Sequence, residues 1–164
     1  MADMLRALDN GEMRIHLQPK FDLRKNAVVG AEVLARWTSP AHGVVDPAEF
    51  VTLAEASDAI APLTLWVLSE AVEAQKRLHA AGLDLTLAVN LSARLVSDPS
   101  IVASIVRVLE GAAGQIDLEI TETARLDDEF EVCRAIEALT NAGARIAIDD
   151  YGQGASASHL ERIP

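Results

Sequence analysis

Cysteine and long apolar runs are scarce in this chain of 164 residues. Cys133 is its single cysteine, which excludes an intramolecular disulfide and a thiolate zinc cluster. No stretch approaches the roughly 20 apolar residues that cross a bilayer, and the first ten residues form an amphipathic pattern rather than a signal peptide. We therefore expect a cytoplasmic domain without direct membrane insertion, and we expect Cys133 to be buried by the packing of an amphipathic helix.

Positive charge is also scarce, because 14 Lys and Arg residues face 25 Asp and Glu residues and give a formal net charge of -11. No block of basic residues is long enough to follow a phosphate backbone, which argues against a polymeric nucleic acid as partner. A small phosphate ligand stays compatible with this charge, because a divalent metal held by carboxylates reverses the local sign of the field.

The hydrophobic pattern predicts a β-hairpin followed by alternating helices and strands. The hairpin covers residues 13–23 and 27–37, and Pro19 indicates a free edge on its first strand. Three segments then each combine a helix end, a glycine and a short strand: AAGLDLTLAVN, AAGQIDLEIT and NAGARIAIDD. The helices are predicted at residues 4–8, 47–57, 62–80, 99–109 and 128–142. Alternation of this kind is typical of parallel strands.

Each strand carries bulky side chains on one face and small or polar side chains on the other. The polar faces share one surface, as in a (β/α) barrel, where function lies at the carboxyl ends of the strands. A complete barrel needs about 250 residues, so we expect an α/β fold with only about the first five strands of an eight-stranded barrel. The unpaired edge of such a barrel predicts self-association, and a homodimer is one expected partner.

Oxygen-bearing side chains recur at the predicted strand ends. They are Glu32, Asn90, Glu119, Asp149 and Asp150. Hard cations such as Mg²⁺, Mn²⁺ or Ca²⁺ prefer these ligands. Adjacent side chains at a strand end diverge, so Asp149 could serve one metal and Asp150 a second, in a glycine-spaced turn that bends over the site. Taken singly, each acid is also explained as a solvated residue at the end of a strand.

The sequence resembles the EAL-domain family of cyclic-di-GMP phosphodiesterases. The signature triplet appears as Glu32-Val33-Leu34, and LQPKFDL, VNLSARL, LEITET and IAIDDYGQG follow the family's blocks in order. The resemblance implies a TIM-like barrel of EAL type, with residues 1–164 as about the N-terminal two-thirds of the domain. The lysine and aspartate that the family carries on its sixth strand, and its later glutamate and glutamine, would fall beyond Pro164.

The resemblance also implies roles for individual residues. Glu32, Asn90, Glu119 and Asp149 would bind Mg²⁺ or Mn²⁺, with Asp150 supporting a second metal. Glu122 would steady the loop after Asp150, and Glu32, Asp149, Asp150 and Glu122 together would form the catalytic set. Gln18, Leu34 and Arg36 would contact cyclic-di-GMP. For Leu34 plain barrel packing explains the residue equally well, and for Arg36 a structural role beside Trp37 is the alternative.

Three functions follow from these observations. The first is hydrolysis of cyclic-di-GMP to the linear dinucleotide with a divalent metal, with this chain inactive on its own. The second is an EAL-like module without catalysis that binds cyclic-di-GMP or serves as a protein scaffold, and the altered DYGQG loop favours it. The third, another metal-dependent barrel such as an enolase-like lyase, depends on fold analogy alone. In each case the domain could be the cytoplasmic part of a larger signalling protein.

Overall fold

The computed structural model describes residues 2–121 and 129–149, and its elements follow the predicted order. The elements are α1 (Ala2–Asp9), β1 (Met13–Asp22), β2 (Ala27–Ser39), β3 (Gly43–Val45), α2 (Pro47–Glu55), α3 (Ile60–Ala80), β4 (Thr86–Leu91), α4 (Ala93–Val96), α5 (Pro99–Leu109), β5 (Ile116–Thr121), α6 (Glu129–Asn141) and β6 (Arg145–Asp149). The predicted hairpin and the predicted alternation of helices and strands are confirmed. The start predicted for the last helix, Asp128, lies outside the described residues.

Two elements were not predicted. Strand β3 forms because Gly43, with φ of 70°, turns the chain back so that it pairs antiparallel with the end of β2. Helix α4 has only four residues and follows β4 directly. Both elements are too short to show a hydrophobic period, so pattern reading could not detect them.

The prediction that Cys133 is buried is wrong, because this side chain is exposed. Helix α6 buries Val132, Ala135 and Leu139, which are spaced by three and four residues and so share one face of the helix. Cys133 follows Val132 by one residue and therefore lies about 100° away from that buried stripe. The helix was predicted correctly, but Cys133 does not lie on its buried face.

The strands form one mixed sheet in the order β1-β2-β4-β5-β6, with β3 beside β2. Strands β2, β4, β5 and β6 are parallel, while β1 is antiparallel to β2. Among the described residues β1 pairs only with β2, so Pro19 lies on an edge strand as predicted. In the same part of the chain, no helix is both long enough and apolar enough to cross a membrane.

The helices cover one face of the sheet, and the core lies between them. Leu87, Val89, Leu91 and Leu118 project from β4 and β5 into this layer and are buried. Val33 of β2 faces the same way and is 3% exposed, in agreement with the predicted alternation. Each side chain of this size contributes about 1.5–3 kcal/mol when it is fully buried. Burial of these side chains therefore determines which side chains of the same strands face the side of the sheet that the helices do not cover.

Buried Gln75 of α3 fastens the start of β5 to this helical layer. Its Nε2 donates a hydrogen bond to the Gln115 carbonyl oxygen at 2.7 Å, and its Oε1 accepts one from the Gly114 N–H at 3.0 Å. The side chain is 3% exposed, so these contacts satisfy polar groups that water reaches poorly. These hydrogen bonds fix the start of β5, the strand that carries Glu119 on its polar face.

Asp98 caps α5 and provides a pH-dependent test of the fold. Its Oδ1 accepts hydrogen bonds from Ser100 Oγ at 2.7 Å, Ser100 N at 2.9 Å and Ile101 N at 3.3 Å. The Ser100 side-chain bond, followed by the two backbone bonds, holds the pKa of Asp98 below its usual range. Since the folded pKa is the lower one, the stabilisation is present above the unfolded pKa and is lost as pH falls through the folded value.

We therefore expect Asp98→Ala to lower the Tm at about pH 7 and to lose this deficit progressively toward about pH 3. Asp98→Asn keeps a capping oxygen without a titrating group, so its Tm should fall less at neutral pH. Thermal melting followed by circular dichroism across this range measures both variants. A deficit of the alanine variant that is independent of pH would show that the ionised carboxylate contributes nothing to the cap.

Candidate functional site

Oxygen-bearing side chains of β2, β4 and β5 meet on the face of the sheet opposite the helices. Asn90 Nδ2 of β4 donates a hydrogen bond to Glu32 Oε1 of β2 at 2.9 Å, although the two residues are 58 positions apart in the chain. Glu119 of β5 is the register partner of Asn90. The predicted convergence of these three residues on one surface is therefore present in the structure.

The register shows that the site runs obliquely across the strands. Glu32 pairs with Ala88, so Asn90 lies two residues further along β4. Glu119 pairs with Ala147, and Asp149 pairs with Thr121, again two residues further along the next strand. A shift of two keeps the side chains of Glu32 and Asn90 on the same face, and strand tilt in a closed barrel requires such a stagger. Glu32 and Asn90, which are not register partners, thus lie at the same level along the barrel axis.

This donor set has the chemistry that a hard cation requires, because carboxylate and amide oxygens are its ligands. Within residues 2–121 and 129–149, no group of three or more His, Cys, Asp or Glu side chains is placed to hold a metal ion. Only Glu32 and Glu119 of the predicted acids have described side chains. For Asp149 the structure describes the backbone alone, and Asp150 and Glu122 lie outside the described residues. The metal site therefore stays a prediction.

Lys20 is a cation of this surface that sequence reasoning missed. Its Nζ lies 2.5 Å from Glu119 Oε1, although the strand order separates the two residues by β2 and β4. On a flat sheet, three strand spacings would keep them about 14 Å apart. The contact therefore reflects strong curvature of the sheet toward a barrel. The signal was available, because Lys20 shares the alternation phase of Gln18.

Small residues on the intervening strands accompany this contact. Lys20 pairs with Gly30 of β2, and Ala88 lies on the inner face of β4. A Cβ atom added at Gly30 would lie only 2.6 Å from the Thr86 carbonyl oxygen. Gly30 therefore allows β2 and β4 to approach closely beside the strand that carries Lys20.

The three predicted ligand contacts lie along the hairpin. Gln18 is exposed and pairs with Glu32, and Leu34 is half-buried. Arg36 Nη1 donates to the Ala35 carbonyl oxygen at 2.8 Å, which fits the structural alternative for this residue. Arg14 is the register partner of Arg36, so two guanidinium groups share this end of the surface. Arg14 is therefore a second cation of this surface that sequence reasoning missed.

Known proteins with similar sequences identify the family of this chain. Residues 1–164 match the family model described as the EAL domain. The chain is 34% identical over 166 residues to the cyclic di-GMP phosphodiesterase PdeR of Escherichia coli strain K12, which covers 99% of this chain and 25% of that protein. It is 34% identical over 168 residues to the bifunctional diguanylate cyclase/cyclic di-GMP phosphodiesterase MucR of Pseudomonas aeruginosa, covering 99% of this chain and 24% of that protein. The chain thus spans about a quarter of the length of these curated relatives.

Solved structures give the same assignment. The MucR phosphodiesterase in complex with c-di-GMP superimposes with a TM-score of 0.84 at 34% identity, covering 99% of this chain and 68% of that chain. The EAL enzyme Bd1971, with cAMP and cyclic-di-GMP bound, gives a TM-score of 0.84 at 27% identity and covers 99% of this chain and 46% of that one. The fold is thus part of an α/β TIM-like barrel, as predicted. From sequence and structure together, this chain belongs to the EAL domain family.

Proposed function

We propose that residues 1–164 are the N-terminal part of a cytoplasmic EAL domain that hydrolyses one phosphodiester bond of cyclic-di-GMP with Mg²⁺ or Mn²⁺. The observation that carries this proposal is the meeting of Glu32, Asn90 and Glu119 from three neighbouring strands. Relatives named as cyclic di-GMP phosphodiesterases match the chain over nearly its whole length. A phosphodiester is an anion, so a cation held by these oxygen donors reconciles the acidic surface with this substrate.

The proposal assigns a role to each residue of the surface. Metal ligands are Glu32, Asn90, Glu119 and Asp149, while Asp150 supports a second metal and Glu122 steadies the following loop. When bound, divalent ions polarise a phosphoryl oxygen and lower the pKa of water for in-line attack. Gln18, Leu34 and Arg36 contact the dinucleotide, and Arg36 reaches a phosphate with its N–H groups once it leaves the Ala35 carbonyl oxygen.

A second function, binding of cyclic-di-GMP without hydrolysis, is favoured by one contact. Glu119, one of the proposed metal ligands, is already paired with the ammonium group of Lys20. If Lys20 occupies Glu119, the surface can still hold a ligand through Gln18 and through Arg14 and Arg36, but without the metal that turnover requires. Homodimer formation stays a prediction of its own and concerns neither function directly.

Hydrolysis assays separate the two functions. We expect residues 1–164 alone to give no linear dinucleotide above the metal-only background, because placing the attacking water in line needs more groups than these strands provide. Joining the chain to the portion of the MucR phosphodiesterase domain beyond the matched region adds the missing part of the barrel. That chimera should form the linear dinucleotide in Mg²⁺ or Mn²⁺, measured by chromatography.

Either arm can contradict the proposal. Clear turnover by residues 1–164 alone would show that the chemistry needs no further strands. A folded chimera that binds cyclic-di-GMP with no turnover would favour the binding module. The MucR domain itself, assayed in parallel, is the matched control for metal and substrate conditions.

A further inference from the structure

The ion pair between Lys20 and Glu119 differs in kind from the other pairs of the described residues. Lys25–Asp22, Lys76–Glu73 and Arg134–Glu131 each join residues three positions apart, and Arg145–Asp117 joins neighbouring strands. Lys20 and Glu119 are 99 positions apart and reach each other across two intervening strands. Local sequence therefore cannot bring these two groups together, and the curvature of the sheet must do so.

Partial burial gives this pair more weight than a surface pair. The Glu119 side chain is 17% exposed and that of Lys20 is 43% exposed. Exposed ion pairs are worth little because water and salt screen them. A carboxylate with limited access to water depends more on a cation nearby, and Lys20 supplies one at 2.5 Å. The ammonium group of Lys20 therefore offsets part of the negative charge that Glu119 would offer to any other cation.

We propose that Lys20 is a built-in counter-cation of the metal centre, which occupies Glu119 in the metal-free protein and weakens the binding of a divalent ion there. The inference rests on the proposed function, because it takes Glu119 as a metal ligand. The ammonium group and a divalent ion compete for the same carboxylate and repel each other. At a separation of about 6 Å in a water-like dielectric, this repulsion alone changes a binding constant by a factor of about ten.

Lys20→Met tests the inference, because it keeps most of the length of the side chain and removes its charge. We expect this variant of the 164-residue chain to bind Mn²⁺ about ten-fold more tightly than the unsubstituted chain at equal ionic strength. Lys20→Gln should change the affinity in the same direction, while Lys20→Arg should stay close to the original value. The readout is the electron paramagnetic resonance signal of free Mn²⁺ during titration.

Lys25→Met is the matched control, because Lys25 is an exposed cation in the turn of the same hairpin and pairs with Asp22. It removes the same charge far from Glu119 and should leave Mn²⁺ affinity unchanged. In a Glu119→Gln background, Lys20→Met should lose most of its effect, since the shared carboxylate is gone. Circular dichroism spectra of all variants confirm that each one is folded.

The outcomes distinguish the inference from the proposed function. If the unsubstituted chain binds Mn²⁺ and both neutral variants bind it equally or more weakly, the role of Lys20 is wrong while the metal site stands. If no variant binds Mn²⁺, the metal site of the proposed function fails, and the inference fails with it. Binding that appears only after Lys20 is neutralised would support the inference most directly.

Discussion

Glu32→Ala is expected to abolish cyclic-di-GMP hydrolysis in the chimera that completes the barrel. Glu32 accepts the Asn90 hydrogen bond at 2.9 Å and lies between Gln18 and Asn90 on the polar surface. Truncation removes one proposed metal ligand and leaves the Asn90 amide without its partner, so metal and substrate both lose their positioning. Loss of one ligand commonly costs several orders of magnitude in rate, because placement and charge stabilisation fail together.

Val33→Ala is the matched control, since it changes the next residue of the same strand. Val33 projects into the helical core and is 3% exposed, so its truncation affects packing on the opposite face. We expect a stability loss of about 1–2 kcal/mol from the missing methyl groups, with turnover per folded molecule nearly unchanged. Linear-dinucleotide formation and Mn²⁺ binding are measured for both variants. An active Glu32→Ala variant would show that the chemistry lies elsewhere.

Gly30→Ala is expected to destabilise the protein by about 3 kcal/mol, in the upper part of the range for overpacking. The new Cβ atom would lie 2.6 Å from the Thr86 carbonyl oxygen, which belongs to the backbone and cannot rotate away. Gly30 and Thr86 are register partners, so relief of the clash must separate β2 from β4 at the place where they pair. The same movement should draw Lys20 away from Glu119.

Urea denaturation measures this loss through the shift of the transition midpoint. Val29→Ala, at the neighbouring and 38% exposed position, serves as the control and should cost less than about 1 kcal/mol. A Gly30→Ala variant as stable as the control would mean that the two strands do not need this close approach. In that case the structure would offer no reason for a glycine at position 30.

Strand periodicity predicted which side chains share the polar face, and Glu32, Asn90 and Glu119 do share it. Their stagger could not be predicted, because register depends on how two strands pair and not on the pattern within either one. The face of Lys20 could be read from its alternation phase with Gln18, but its contact with Glu119 could not, since that contact needs curvature built by four strands. Cys133 was wrongly expected to be buried because membership of an amphipathic helix does not say which face a residue occupies, and the buried face is that of Val132, Ala135 and Leu139.

The two hydrogen bonds of Gln75 couple the unfolding of helix α3 to that of strand β5. Its single amide group holds both a carbonyl oxygen and an N–H at the entrance to β5. If α3 moved away, two backbone groups and the amide itself would lose their partners in a place that is poorly hydrated, at a cost of about 1–3 kcal/mol for each group. Helix α3 and strand β5 should therefore open together as one cooperative unit. The base of β5 is thus anchored to the helical layer, independently of the contact that Glu119 makes with Lys20 further along the strand.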